Sequence, residues 1–110
     1  TVAKWPNNVD LDKKEIIPAK RIFNPFRKVM TIGTGFPDFV AFQLVGEKMY
    51  NVIGVESKLN GLLSKEEKEK CAFLLNKKVF NNIWIGNKNE KGKVEYTDFK
   101  EKFGEKFNAI

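Results

Sequence analysis

Two long apolar runs, DFVAFQLVG and MYNVIGVESK, are separated only by a turn through Gly46, Glu47 and Lys48. Both are rich in β-branched and aromatic residues and read as strands, and so short a connection makes them antiparallel neighbours. RKVMTIG, carrying Val29, Thr31 and Ile32, reads as a strand before them and completes a three-stranded meander. Their near-continuous apolar character implies that both sheet faces are largely covered. Acids are costly in such a setting, because a buried carboxylate needs a compensating partner. Yet Asp38 opens one run and Glu56 lies near the end of the other.

The flanking segments complete an α/β pattern. TVAKWPNN reads as an irregular arm, and DLDKKEIIPAKRIF as a first helix capped by Asp10 or Asp12 and limited by Pro18. After the strands, Ser64 with Glu67 three residues on forms a capping box. It opens a helix with Cys71, Leu74 and Leu75 on one face and a Glu66–Lys70 pair on the other. VFNNIWIGN returns as a strand, VEY adds a short one, and Thr97 is placed to cap a tail helix. Phe99, Phe103 and Phe107 form a stripe along that helix, suited to the core or to a dimer contact, and Gly104 weakens it.

At 110 residues the chain supports one domain, residues 1–110, with a single modest core. It opens on Thr1 without a signal-peptide pattern, and no apolar run approaches the length of a membrane span. A single cysteine excludes an internal disulfide and fits a reducing, intracellular setting, cytoplasmic or, for a viral chain, the host cytoplasm. The count of histidines is 0, which removes His-based zinc sites, Ser-His-Asp triads and His-metal nucleases. Acid–base or metal chemistry then falls to Asp, Glu, Lys or Tyr. A net charge of +6 favours polyanionic partners, although it also suits plain solubility.

Glu56 and Lys58 are two residues apart on one strand, so their side chains leave the same face. In an antiparallel pair the start of one strand lies beside the end of the next, which brings Asp38 to the same end of the sheet. Taken singly, an Asp after Pro is most often a turn former, and a Glu-x-Lys strand end most often a solvated edge. Taken together, two carboxylates in one place call for a cation. Oxygen ligands without His or Cys select Mg²⁺ or Mn²⁺. Such a site suits phosphodiester hydrolysis, with the lysine steadying charge that develops on the phosphate.

Pro37-Asp38, a strand and turn, and then Glu56-Ser57-Lys58 resemble the PD-(D/E)XK nuclease superfamily, most closely its small archaeal Holliday junction resolvase-like members. The resemblance covers about Val29 to Gly86. It implies a restriction endonuclease-like core, helix–three strands–helix–strand, as a mixed sheet flanked by helices. It implies that Asp38, Glu56 and the Ser57 carbonyl hold the metal, and that Lys58 positions the attacking water and stabilises the transition state. It also implies an acid from the first helix, for which Glu15 is the candidate, with Asp10 and Asp12 as competitors. Many relatives carry a glutamine on the helix after the lysine; Lys65, Glu66 and Glu67 stand there in this chain.

The expected function is therefore a Mg²⁺- or Mn²⁺-dependent DNA endonuclease, with branched or junction DNA among its candidate substrates. The alternative is a non-catalytic nucleic-acid-binding protein that retains the fold. Lys20, Arg21, Arg27 and Lys28, with Lys4, Lys13 and Lys14 nearby in sequence, are the expected phosphate contacts. Cutting two strands calls for two sites and hence a homodimer.

Overall fold

The structure, a computed structural model, describes residues 2–26, 28–32 and 35–107. The chain begins with five short strands, β1 (Val2–Lys4), β2 (Asn7–Asp10), β3 (Glu15–Pro18), β4 (Arg21–Asn24) and β5 (Val29–Ile32). Two long strands follow, β6 (Phe39–Gly46) and β7 (Met49–Ser57), then helix α1 (Lys65–Asn76). The remainder is β8 (Asn82–Lys88), β9 (Val94–Asp98) and a short helix α2 (Phe99–Phe103). The result is an α/β fold built on a 5-stranded mixed sheet of order β1-β6-β7-β8-β9. No helix among the described residues is long and apolar enough to cross a membrane.

The β6–β7 hairpin forms as its sequence requires, with Phe39 opposite Val55 and Ala41 opposite Ile53. Helix α1 is the crossover that returns β8 parallel to β7, pairing Val55 with Trp84 and Ser57 with Gly86. Its capping box is present as read: Ser64 Oγ accepts from the Glu67 N–H, and Glu67 Oε1 accepts from the Ser64 N–H. Cys71, Leu74 and Leu75 are buried from α1, and they form one core with Val40, Ile83, Ile85, Phe80 and Phe99. The phenylalanine stripe turns inward, with Phe99 fully buried and its ring 5.3 Å from that of Phe103. Asp98, rather than Thr97, caps α2, accepting from the Lys100 N–H at 2.9 Å.

The first quarter of the chain departs from expectation. No helix forms over residues 10–23; β2 and β3 make a hairpin there, with Asp10 opposite Glu15. Asp10 Oδ1 accepts from the N–H groups of Asp12 and Lys13, so the residue read as a helix cap closes a turn instead. Short acidic side chains compete with helical backbone bonding in this way, and β-branched Ile16 and Ile17 before Pro18 favour extension. The arm before it is also ordered into strands. β5 does not join the meander either; it pairs with β4 in a separate two-stranded sheet. β1 takes the place beside β6, antiparallel, with Val2 opposite Ala41 and Lys4 opposite Phe39.

This rearrangement puts the approach to Asp38 under tight control. Gly35 and Phe36 donate their N–H groups to the carbonyls of Trp5 (3.0 Å) and Asn7 (2.8 Å), while the Trp5 N–H donates to the Asp38 carbonyl (3.1 Å). A Cβ at position 35 would stand 1.9 Å from the Asn7 oxygen, so only glycine permits these bonds. Gly35→Ala is expected to lower stability by about 1–3 kcal/mol, the usual cost of forcing atoms into a filled space, read as a shift in urea midpoint.

Candidate active site

The last register pair of the hairpin, Phe39 with Val55, leaves Asp38 facing Glu56. Side chains then extend the ladder by one step. The Asp38 N–H donates to Glu56 Oε1 at 3.1 Å, and the Ser57 N–H donates to Asp38 Oδ2 at 2.9 Å. The two carboxylates expected at one end of the sheet are thus joined there, each tied to the other's strand. Glu56 is the buried charged residue of the core, 5% exposed.

Lys58 follows on the same face, with Nζ 3.6 Å from Glu56 Oε2 and in close ion pairing with Glu67 Oε2. Its own N–H donates to the Gly86 carbonyl at 2.9 Å, which carries the parallel pairing with β8 one residue past the strand. Glu67 has two functions at once. Oε1 closes the N-terminal box of α1, and Oε2 holds the lysine. Capping therefore fixes the carboxylate, and the carboxylate fixes Lys58.

The electrostatics follow from this packing. Burial, and then the neighbouring Asp38 carboxylate, push the Glu56 carboxyl up to about 8, against a pull downward from Lys58. The hydrogen bond to Glu67 holds the Lys58 ammonium above its ordinary range. Burial pushes Glu67 upward, but its bonds to Lys58 and to the Ser64 backbone outweigh that and keep it below the usual carboxylate range. Cys71 is buried beneath the site, and burial drives its thiol strongly upward, so it is a packing residue rather than a nucleophile.

Glu15 lies on β3 opposite Asp10 and is exposed, so the helix that was to deliver it to the site is absent. The further acid beside the pair is Glu67 of α1, which contacts Lys58. Glu67 was visible in sequence as the partner of Ser64 in a capping box and as one of the residues standing where many relatives of the resembled family carry a glutamine; a Ser-x-x-Glu six residues after Lys58 was the local signal. The expected phosphate contacts fall around the β4–β5 hairpin instead of on a helix. Lys20 precedes β4, Arg21 begins it, and Lys28 sits in the turn before β5 with φ of 53°. Arg27 lies outside the described residues.

Among the described residues no three His, Cys, Asp or Glu side chains converge tightly enough to form a ready metal cage. The donor set at hand is two carboxylates and the backbone beside them. It fits Mg²⁺, which takes one or two protein carboxylates and completes its shell with water and substrate phosphate. Comparison with protein-family models, with curated proteins and with solved structures gave no match.

The raised Glu56 has a measurable consequence. Between its unfolded value near 4.5 and about 8 in the fold, the native state holds a proton that the unfolded chain has released. Stability in EDTA should therefore fall as pH rises across that window, by up to about 1.4 kcal/mol per pH unit. Glu56→Gln keeps an acceptor for the Asp38 N–H and removes the charge. It is expected to flatten the slope and to exceed the wild type in stability at pH 8, checked by urea titrations across the window.

Proposed function

We propose that the protein is a metal-dependent DNA endonuclease of the restriction endonuclease-like type. The observation that carries this reading is the meeting of Asp38 and Glu56 across the β6–β7 pair, with Lys58 beside them. Buried paired carboxylates are a poor stabilising device, since each raises the cost of ionising the other. A divalent cation removes that conflict. The order β6, β7, α1, β8, with β8 parallel to β7, supports this reading, although the expected first helix is replaced by the β2–β3 hairpin.

Asp38 and Glu56 would hold the cation, with the Ser57 carbonyl as a further candidate. Mg²⁺ or Mn²⁺, when bound, supplies an acidified water and neutralises charge on the phosphate. The chain's own residues do the rest. Lys58 presents a permanent positive charge at the end of the central strand β7, where a phosphate oxygen gains charge as the water attacks. Glu67 keeps its ammonium from swinging into solvent. Asp38 and Glu56, locked by each other's backbone N–H groups or strands, need no rearrangement before the reaction. DNA is the proposed substrate, in line with the net charge of +6. A twofold pair of chains would supply two sites for the two strands of a branched or duplex substrate.

Cleavage of junction, duplex and single-stranded DNA with Mg²⁺ or Mn²⁺ tests the proposal. Lys58→Ala should lose about 10²–10³ in rate, the usual effect of deleting one preorganised charge-stabilising group. Its DNA affinity should change little, because counterion release is spread over many lysines. Asp38→Asn should lose activity that excess Mn²⁺ partly restores. Mn²⁺ should also raise the melting temperature of the wild type at pH 8 more than that of Asp38→Asn. If wild type and Lys58→Ala bind DNA alike and neither cuts, the chain is a nucleic-acid-binding module on the same scaffold.

A further inference from the structure

Strand alternation gives the sheet two unlike faces. Glu56 and Lys58 belong to the face that α1 covers, whereas Ser57 between them points to the other side, together with Val55. The cross-strand partners on that second face are Phe39 from β6, Trp84 from β8 and, beyond it, Tyr96 from β9 opposite Gly86. Both described helices pack into the core on the first face. The second face instead holds a cavity of about 630 Å³ that runs up to Ser57 and Lys58.

Three features of this cavity bear on its occupant. Its walls are aromatic: the Trp84 and Tyr96 rings lie 5.8 Å apart, tilted at 48°, with Phe39 across the floor from them. Lys88 lines it with no Asp or Glu among the other lining residues, Lys58 meets it only where β7 ends, and the exposed Lys4 on β1 stands opposite Phe39 on the same face. Its floor includes Gly86, inside strand β8. A Cβ there would meet the Tyr96 ring at 3.1 Å, so the glycine lets the ring lie across the strand and leaves the cavity open. A glycine within a strand marks a close approach of this kind.

We propose that this cavity binds an unpaired nucleobase of a strand whose backbone passes Lys58 at the end of β7, making the substrate one with single-stranded or unstacked nucleotides. The inference rests on the nucleic-acid part of the proposed function. Aromatic walls stack bases without regard to sequence, and lysines at the rim neutralise the flanking phosphates. A duplex keeps its bases stacked inside and has nothing to offer the cavity. Glu56, Ser57 and Lys58 are consecutive, so the phosphate site and the base site are separated only by the thickness of β7. A strand draped over that end of the sheet reaches both.

The test is a binding titration in EDTA, where cleavage does not intervene. Labelled oligothymidylate, the same strand carrying a run of abasic sites, and a blunt duplex are compared by fluorescence anisotropy. Base-bearing single strand should bind roughly tenfold more tightly than the abasic strand, in keeping with one stacked base. Tyr96→Ala, at an exposed position, should erase that difference while the urea midpoint shows the variant folded, and Tyr96→Phe should retain it. Equal binding of abasic and base-bearing strands, or an unchanged preference in Tyr96→Ala, overturns the inference. So does a light-scattering mass that halves on Tyr96→Ala, which assigns the face to a second copy of the chain. Cleavage without base preference removes the base site and leaves the nuclease reading. Base preference without cleavage does the reverse.

Discussion

Two carboxylates that would repel each other are held together at the end of the β6–β7 pair, and the fold is arranged around that constraint. Each is anchored by a backbone N–H of the opposite strand, so neither can withdraw without breaking the ladder's last step. The cost of burying Glu56 is met in part by Lys58, and Lys58 is in turn held by Glu67. Because Glu67 also closes the first turn of α1, the helix start, the lysine and the carboxylate pair form one continuous chain of hydrogen bonds and ion pairs. A stability-driven design would replace such a set with apolar residues. Its presence within an otherwise apolar core is what the proposed catalytic role would account for.

The rest of the sheet serves the same end. β1 pairs with β6 up to Phe39, and the neighbouring Trp5 N–H reaches the Asp38 carbonyl, so Asp38 is gripped from both sides. β8, parallel to β7, carries Gly86, whose carbonyl receives the Lys58 N–H and whose missing side chain opens the cavity beneath Tyr96. One residue thus contributes to both faces of the sheet. The long hairpin beyond these contacts is paired only within itself and exposes Leu44, Val45, Met49 and Tyr50. It lies at the opposite end of the strands from the carboxylates.

What was legible in the sequence was local, or nearly so. The three-residue turn forced β6 and β7 together, period-two alternation put Glu56 and Lys58 on one face, and Ser64 with Glu67 marked the start of α1. Asp38 beside Glu56 then followed from antiparallel geometry alone. These features depend on residues within about 20 positions of one another, where turn length and strand period leave few alternatives. The same local reasoning failed before Asp38. Asp10 can cap a helix or close a turn, and the residues around Ile16, Ile17 and Pro18 carry no signal strong enough to decide. Pairing with distant backbone, as when the Ala19 N–H meets the Pro6 carbonyl, selects the strands.

The sequence by itself determined the hairpin, the crossover helix, the pair of acids and the lysine two residues beyond, because each rests on short-range periodicity. Only the tertiary structure decided which strand lies beside β6, which acid supports Lys58, and what the second face of the sheet holds open. β1 and β5 are both short extended segments, and nothing local says which one completes the sheet. Glu67 reaches Lys58 because α1 folds back over β7. Phe39, Trp84 and Tyr96 come from three different strands, and only the sheet's lateral order, through one parallel pair and two antiparallel ones, turns them into the walls of one cavity.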